Sequence, residues 1–82
     1  MMFYVYILYS NTFNRFYIGQ TSDVSARLQR HNSGYEKSTS PCAPWELMLS
    51  LEKPTRPEAL KLERKLKNLN TEDLKQFIEK YN

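Results

Sequence analysis

The N-terminal segment Phe3–Tyr9 is apolar at successive positions, with no alternation between an apolar and a polar face. A strand with this pattern is typically covered on both sides of its sheet. Ser10–Phe13 has the character of a four-residue hairpin loop, and Arg15–Gly19 that of the returning strand. The pattern therefore predicts an antiparallel hairpin at the start of the chain.

Two tyrosines are predicted to lie side by side in this hairpin. A loop at Ser10–Phe13 places Tyr6 directly across from Tyr17, and Tyr4 across from Gly19. Opposed side chains share one face of the sheet, with Cβ atoms about 5 Å apart. A buried hydroxyl costs free energy unless it has a hydrogen-bond partner. We therefore expect the two phenols to bond to each other or to a shared third group.

The stretch TSDVSARLQRHNSG, residues 21–34, has the pattern of a capped helix. Thr21 or Ser22 is expected to cap it, Asp23 to lie in its first turn, and Gly34 to end it. The positions spaced for an inward face are Val24, Arg27, Leu28 and His31. Two of these four carry cationic or titratable groups, which surface helices usually place on the solvent side. This inward face therefore holds candidate functional residues.

A third strand is predicted after a polar, irregular loop at residues 33–44. The segment Trp45–Glu52 alternates apolar and polar residues, as a strand with one wetter face does. Its predicted inner side consists of Trp45, Leu47, Leu49 and Leu51. Together with the hairpin, this strand predicts a three-stranded antiparallel sheet.

Two helices are predicted in the C-terminal part of the chain. Thr55–Glu58 (TRPE) is a capping box with proline in the first turn, and the stripe that follows is Ala59, Leu62, Leu66 and Leu69. Glu63 falls inside this stripe, although it is a carboxylate. A last helix from about Thr71 has its stripe at Leu74, Phe77, Ile78 and Tyr81. The whole pattern predicts an α/β fold, a three-stranded antiparallel sheet flanked by helices.

Composition narrows the class of protein. A chain of 82 residues has room for one core, so residues 1–82 are expected to form a single domain. Its one cysteine cannot form an internal disulfide, which fits a reducing compartment. The apolar start MMFYVYIL is far shorter than the roughly 20 residues that span a bilayer, and it lacks signal-peptide features. We expect a cytoplasmic protein with no membrane partner. The net charge of +3 permits a polyanionic partner without requiring one.

Inward-facing polar groups indicate one site rather than several isolated features. They are Tyr6, Tyr17, Arg27, His31 and Glu63. Each alone has a structural explanation, such as a satisfied core tyrosine or an ion pair at the edge of the core. A domain of this size tolerates several of them best if they meet at one site.

The chemistry of this set suits attack of water on a phosphodiester. The chain has no Cys/His set for zinc and no glycine-rich phosphate loop. One carboxylate can hold a hard divalent cation whose other ligands are water and phosphate. Arginine binds phosphate oxygens through its planar fork. A phenol beside a metal and an arginine is expected to have a lowered pKa, which makes it usable as a base.

The segments YVYIL, FYIGQT, ARLQRHNSG and EALKLERKLK resemble the GIY-YIG nuclease domain, most closely its small single-domain bacterial members. The resemblance extends from Phe3 to about Lys75. The second half-motif is intact as Tyr17-Ile18-Gly19. The first is altered, because Tyr4-Val5-Tyr6 stands where the family has Gly-Ile-Tyr. The tyrosine, which is the reactive member of that half-motif, is kept as Tyr6.

This resemblance implies a role for each candidate. Tyr6 resembles the general base that activates water, and Tyr17 its hydrogen-bonded partner, which orients water or phosphate. Arg27 resembles the arginine that stabilises charge on the phosphorus, and His31 a second polar group that contacts phosphate or the leaving group. Glu63 resembles the carboxylate that binds the single divalent metal, Mg²⁺ or Mn²⁺. No organic cofactor is implied.

Two positions of the family pattern remain open. The additional asparagine of the family has three candidates by spacing, which are Asn68, Asn70 and Asn82. Gln20 stands where some branches have lysine.

The resemblance implies a metal-dependent endonuclease that hydrolyses DNA and leaves 5′-phosphate and 3′-hydroxyl ends. Branched, flapped or damaged duplexes are candidate substrates, and DNA repair or recombination is the expected setting. Two alternatives remain. One is a nucleic-acid-binding module that keeps the fold without the chemistry, and the other is a protein-interaction subunit targeted by a partner.

Overall fold

A computed structural model of the chain describes residues 2–37 and 39–82. Within these residues, three strands, three α-helices and one 3₁₀ turn follow each other along the chain. Their order is β1 (Phe3–Ser10), β2 (Arg15–Thr21), α1 (Val24–Ser33), the 3₁₀ turn (Ser40–Cys42), β3 (Trp45–Lys53), α2 (Arg56–Lys67) and α3 (Thr71–Tyr81). The strands form one antiparallel sheet in the order β2-β1-β3. The predicted α/β fold, a three-stranded antiparallel sheet flanked by helices, is therefore confirmed.

The central position of β1 explains why it is apolar on both faces. Val5 and Ile7 point to one side of the sheet and pack against α2 and α3. Tyr6 and Leu8 point to the other side and pack with Trp45 and residues of α1. All four of these β1 side chains are at most 1% exposed. Helices cover the sheet on both faces, so each inward residue belongs to one of two separate layers.

The pairing of β1 with β2 differs from the predicted register. Tyr6 pairs with Gly19, and Tyr17 pairs with Leu8, so the register is displaced by two residues from the predicted one. The turn at residues 11–14 ends in Asn14, whose φ of 52° lies in the left-handed region, and pairing starts at Ser10 and Arg15. A two-residue displacement keeps every side chain on its predicted face. The two tyrosines therefore still share a face, as diagonal rather than direct neighbours.

The prediction of one continuous inner side for β3 is wrong. The pairing with β1 is interrupted between Ile7 and Leu8, which are opposite Leu49 and Leu47, so Met48 is the extra residue of a bulge. A bulge breaks the two-residue alternation. Trp45 consequently lies in the layer of Tyr6, whereas Leu49 lies in the layer of α2 and α3, and Leu47 is 40% exposed.

The helix boundaries follow from capping residues. Asp23, rather than Thr21 or Ser22, caps α1, because its carboxylate accepts the N–H of Ala26 at 3.1 Å. Thr21 instead accepts the N–H of Asp23 through its hydroxyl at 3.1 Å. Gly34 ends the helix with φ of 90°, a conformation that glycine adopts without a steric penalty.

The C-terminal helices agree largely with the predicted stripes. Thr55 caps α2 as expected, and Asn70 caps α3 by accepting the N–H of Asp73 at 2.8 Å. In α3 the predicted stripe residue Tyr81 is 51% exposed and lies against Phe77 instead of the sheet. Within the described ranges, no helix has the length and apolarity needed to cross a membrane.

Candidate active site

The layer between the sheet and α1 contains a cluster of three rings, those of Tyr6, Tyr17 and His31. The hydroxyl of Tyr6 lies 3.2 Å from Nε2 of His31. The ring centroids of Tyr6 and Tyr17 are 6.2 Å apart, and those of Tyr17 and His31 are 4.6 Å apart. We call these three residues the Tyr–His cluster. Three of the five predicted site residues are thus in direct contact.

The cluster exists because strand and helix periodicities converge. Tyr6 and Tyr17 share a sheet face through the pairing of β1 with β2. His31 lies in the last turn of α1, on the inward face predicted from its spacing to Val24 and Leu28, and both of these residues pack in the same layer. His31 is 1% exposed and Tyr6 is 1% exposed, whereas Tyr17 is half-buried. Tyr17 is therefore the member of the cluster nearest to solvent.

Gly19 makes room for the reactive phenol. A Cβ atom on Gly19 would lie 2.6 Å from the hydroxyl oxygen of Tyr6 and 3.2 Å from Cε1 of Tyr17. The first separation is shorter than any normal contact between these atoms. The requirement for glycine at this position is therefore steric, and it explains the close approach of Tyr6 to β2.

Replacing Gly19 by alanine is expected to lower the free energy of unfolding by about 1–3 kcal/mol, the usual cost of overpacking a core. The added methyl group displaces the Tyr6 ring, which has little room to move. Urea denaturation of the two proteins measures the loss. In a Tyr6→Phe background the same substitution should cost less, because the nearest atom is gone. A variant as stable as the wild type, within about 0.5 kcal/mol, would contradict this account of Gly19.

His31 is held as a neutral imidazole. Its Nδ1 lies 2.9 Å from the hydroxyl oxygen of Thr39. Burial lowers the pKa of His31 below its ordinary value, and the positive charges of Arg27 and Arg30 add to this effect while Glu36 opposes it. Both ring nitrogens have a partner, so the phosphate contact that the resemblance implies for His31 would require one of these bonds to break.

The pKa of Tyr6 is raised to about 12, chiefly by burial and then by the neighbouring Tyr17. The guanidinium of Arg27 lowers it, and the carboxylates of Glu63 and Glu36 raise it. The surroundings of Tyr6 in the protein therefore raise its pKa, and the lowered pKa expected from the sequence is wrong. A phenol with this pKa does not accumulate as phenolate at neutral pH.

Arg27 lies one turn before His31 on α1 and is half-buried. Its charge lowers the pKa of both Tyr6 and His31, which indicates that the guanidinium is close to the cluster. Among the described residues, its guanidinium forms no hydrogen bond or ion pair. Its donors are therefore available for an anionic ligand.

Glu63 comes from the other layer. Its neighbours on α2, Ala59 and Leu66, pack against the opposite face of the sheet from Tyr6. Its carboxylate forms an ion pair with Nζ of Lys67 at 2.7 Å, and its side chain is 16% exposed. Among the described residues, it forms no hydrogen bond or ion pair with the Tyr–His cluster, although its charge contributes to the raised pKa of Tyr6.

The two layers meet at the free edge of β2. Because β2 is an edge strand, side chains from either face can reach around it. One open pocket is lined by Tyr17 from the cluster side and by Lys67 from α2. Since Lys67 is paired with Glu63, the carboxylate lies next to the side chain that borders this pocket. Tyr17 is therefore the residue of the Tyr–His cluster that borders the same pocket as Lys67, the partner of Glu63.

The donor set fits a hard cation only in part. In the portion of the chain that the structure covers, no three His, Cys, Asp or Glu side chains are grouped as metal ligands. Glu63 is a single carboxylate, and Mg²⁺ is often bound by one or two carboxylates with water and substrate phosphate completing its shell. Gln20 adds a buried amide oxygen that has no hydrogen-bond partner among the described residues, and it points to the same side of the sheet as α2. These oxygen donors fit Mg²⁺ or Mn²⁺ rather than a thiolate-bound metal.

Thr39 is a site residue that the sequence pattern does not identify. It is 3% exposed and lies in the polar loop that was expected to be irregular. The loop is ordered by non-local contacts, in which the indole N–H of Trp45 donates to the Thr39 carbonyl at 2.8 Å and the Asn32 amide donates to the Trp45 carbonyl at 3.1 Å. No local pattern could have predicted these contacts, because they depend on the path of the loop.

The three candidates for the family's asparagine lie at the ends of α2 and α3. Asn70 caps α3, Asn68 follows the last turn of α2, and Asn82 is the last residue. None of the three forms a side-chain hydrogen bond with the Tyr–His cluster within the described ranges.

Comparison with known proteins agrees with the fold. A family model described as the GIY-YIG catalytic domain matches residues 2–82. The chain is similar to the solution NMR structure of the UPF0213 protein BH0048 from Bacillus halodurans, with 32% sequence identity and a TM-score of 0.63. This match covers 96% of the present chain and 84% of the other. No curated protein matches the chain significantly. Domains described by this family model are generally nucleases that depend on a divalent metal. The chain belongs to the GIY-YIG catalytic domain family.

Proposed function

We propose that the chain, acting as a single domain over residues 1–82, is a Mg²⁺-dependent endonuclease that hydrolyses DNA phosphodiester bonds. The observation that supports this most directly is the contact between the hydroxyl of Tyr6 and Nε2 of a neutral His31 at 3.2 Å. This pair lies beside Tyr17 and beside Arg27, whose guanidinium has no partner among the described side chains. Together, a phenol, a neutral imidazole and a guanidinium can supply proton transfer and charge stabilisation for hydrolysis of a phosphodiester.

Tyr6 is assigned the activation of water. In this proposal the phenol oxygen takes a proton from the attacking water while its own proton passes to Nε2 of His31. The phenol therefore never has to exist as a free phenolate, which its pKa of about 12 would disfavour at neutral pH. The lowered pKa of His31 keeps its imidazole neutral and able to accept the proton. Tyr17, nearer to solvent, orients the water or a phosphate oxygen.

Arg27 is assigned the phosphate. Its fork can donate two parallel hydrogen bonds to phosphoryl oxygens, and such charge-assisted bonds strengthen as negative charge develops on them. One turn of α1 separates it from His31, so phosphate binding and proton acceptance are positioned by the same helix. This arrangement makes the orientation of α1 against the sheet a determinant of the reaction.

Glu63 is assigned the divalent metal, with the amide oxygen of Gln20 as a second donor on the same side of the sheet as α2. When bound, the cation would neutralise charge on the phosphate and its leaving oxygen. Lys67 forms an ion pair with Glu63, and this ion pair would have to break for the carboxylate to bind the metal. We assign this activity to DNA repair or recombination in the cytoplasm, on branched, flapped or damaged duplexes, with 5′-phosphate and 3′-hydroxyl products.

One observation favours a second function, a nucleic-acid-binding module without catalysis. Tyr6 is only 1% exposed, so water reaches its hydroxyl only if side chains at the edge of β2 move. Such a module would bind the same DNA without cutting it. A protein partner that targets the domain to its substrate is compatible with either function.

A cleavage assay separates these functions. End-labelled branched, flapped and linear duplexes are incubated with the protein in Mg²⁺, in Mn²⁺ and in EDTA, at low salt because few phosphate contacts make binding salt-sensitive. We expect nicked products with 5′-phosphate ends in Mg²⁺ and none in EDTA. Binding by gel shift without any cleavage would support the binding module, and cleavage that persists in EDTA would contradict metal dependence. Arg27→Ala serves as the control for a contaminating nuclease.

A further inference from the structure

The hydroxyl of Thr39 is the second partner of the histidine in the Tyr–His cluster. Its oxygen lies 2.9 Å from Nδ1 of His31, on the far side of the ring from Tyr6. Thr39 is 3% exposed, and the hydroxyl-bearing side chain of Ser10 is also buried. A buried hydroxyl next to a titratable ring sets the direction of the hydrogen bonds around that ring.

Hydrogen bonds connect Tyr6, His31, Thr39 and the Glu36 carbonyl in a row, and the direction of each bond follows from its donor and acceptor groups. The hydroxyl of Thr39 is also 3.5 Å from the backbone carbonyl of Glu36, which is the longest contact in this row. A carbonyl can only accept, so the Glu36 carbonyl, which also accepts the N–H groups of Thr39 and Ser40, offers the Thr39 hydroxyl hydrogen an acceptor. Nδ1 of His31 then donates to Thr39, and Nε2 carries the lone pair that accepts the hydrogen of Tyr6. Every hydrogen in this arrangement has an acceptor.

The opposite direction leaves a hydrogen without an acceptor. If Thr39 donated to Nδ1, then Nε2 would donate to the oxygen of Tyr6. The hydrogen of Tyr6 would then have no acceptor among the described residues, in a side chain that is 1% exposed. A buried donor without a partner costs about 1–3 kcal/mol. The count of donors and acceptors therefore favours the tautomer with hydrogen on Nδ1.

The backbone around Thr39 holds the hydroxyl in place. The Thr39 carbonyl accepts the indole N–H of Trp45 at 2.8 Å, and its N–H donates to the Glu36 carbonyl at 3.2 Å. Glu36 is itself tied to α1 by an ion pair with Arg30 at 2.8 Å. The loop thus links the end of α1, which carries His31, to the start of β3.

We propose that Thr39 is a positioning residue that fixes His31 in the tautomer with its lone pair on Nε2, facing Tyr6. Its role in cleavage rests on the function proposed above, since it prepares Nε2 to receive the proton of the phenol. Thr39 itself touches neither substrate nor metal in this proposal. It acts through His31, as the outer partner of a working imidazole does.

The tautomer can be measured in the free protein. The chain contains one histidine, so a long-range ¹H–¹⁵N correlation spectrum of the ¹⁵N-labelled chain reports its two ring nitrogens without overlap. At pH 8 the imidazole is neutral, because its pKa lies below the ordinary value. We expect the spectrum of a protonated Nδ1 and an unprotonated Nε2. A protonated Nε2 in the wild-type protein overturns the proposal.

Substitutions then test whether Thr39 sets this tautomer. Thr39→Val keeps the shape but removes the hydroxyl, and it is expected to shift the population toward hydrogen on Nε2, whereas Thr39→Ser keeps the wild-type spectrum. Ser10→Ala removes another buried hydroxyl, which donates to the Cys42 carbonyl at 2.6 Å, and should leave the tautomer unchanged. An unchanged tautomer in Thr39→Val overturns the proposal. If Thr39→Val does not fold, as judged by its amide spectrum, Thr39→Ala is used in its place.

Cleavage supplies an independent measurement. Thr39→Val is expected to lower kcat by about 10–100-fold with KM little changed, because an outer partner of the imidazole is lost. Thr39→Ser keeps the hydroxyl and should have the kcat of the wild type. A loss that appears in KM alone would overturn the positioning role. The NMR measurement needs neither DNA nor metal, so an inactive wild-type protein would contradict the proposed function while leaving the tautomer result intact.

Discussion

Tyr6→Phe is expected to lower the rate of DNA cleavage by about 10²–10⁴-fold, the contribution typical of a general acid or base. The substitution removes one oxygen atom and keeps the ring that fills the layer between the sheet and α1. It also removes the hydrogen bond to Nε2 of His31, which is 3.2 Å long in the wild-type protein. Leaving Nε2 without a partner costs about 1–3 kcal/mol of stability, so the domain should stay folded.

Tyr9→Phe is the matched control for this experiment. Tyr9 lies on the same strand, and its hydroxyl also makes one hydrogen bond, to Asn14 at 2.6 Å. It belongs to no contact of the Tyr–His cluster. Single-turnover cleavage rates and urea denaturation are measured for both variants. Tyr9→Phe should cut at the wild-type rate, and a Tyr6→Phe variant that also does so would remove Tyr6 from the mechanism.

The positions of the cluster residues were largely predictable because they follow from local periodicity. The inward face of α1 requires only helical spacing, and it correctly placed His31 against the tyrosines, with Arg27 half-buried one turn before it. The prediction that Tyr6 and Tyr17 share a face is correct although the predicted register is wrong, because β2 is displaced by two residues relative to β1. A one-residue displacement would have reversed the face of every residue of β2. Alternation is thus more robust than pairing as a guide to a site.

Features that depend on a turn, a bulge or a loop path were not predictable. The register depended on the turn that ends at Asn14, and the split of β3 between two layers depended on the bulge at Met48. Thr39 reaches His31 only because Trp45 and Asn32 hold the loop against β3. These contacts join residues whose spacing follows no helix or strand period. The pKa of Tyr6 was likewise misjudged, since burial outweighs the neighbouring guanidinium.

Glu63 and the Tyr–His cluster come from different layers of the domain. Helical spacing correctly predicted that Glu63 falls within the inward stripe of α2. The sheet, however, separates α2 from the face that carries Tyr6, and the carboxylate is paired with Lys67 at 2.7 Å. An ion pair at positions i and i+4 of a helix is worth only about 0.3–0.5 kcal/mol. Such a weak pair can yield to a divalent cation.

Glu63→Gln is expected to reduce Mg²⁺-dependent cleavage by about a hundredfold or more, because a metal that stabilises transition-state charge contributes several kcal/mol. Stability should change little, because only the ion pair with Lys67 is lost. Calorimetric titration with Mn²⁺ provides a second measurement, in which the variant should lose the binding that the wild type shows.

Lys67→Gln removes the same ion pair but keeps the carboxylate, so it separates the two roles of Glu63. If Glu63 binds the metal, Lys67→Gln should cleave at least as well as the wild type and reach its half-maximal rate at lower Mg²⁺, because no ammonium group competes for the carboxylate. If the ion pair is the whole function of Glu63, the two variants should behave alike. Equal rates and equal Mg²⁺ dependence in Glu63→Gln, Lys67→Gln and the wild type would therefore assign Glu63 to the surface of α2 and leave the metal without a protein ligand there.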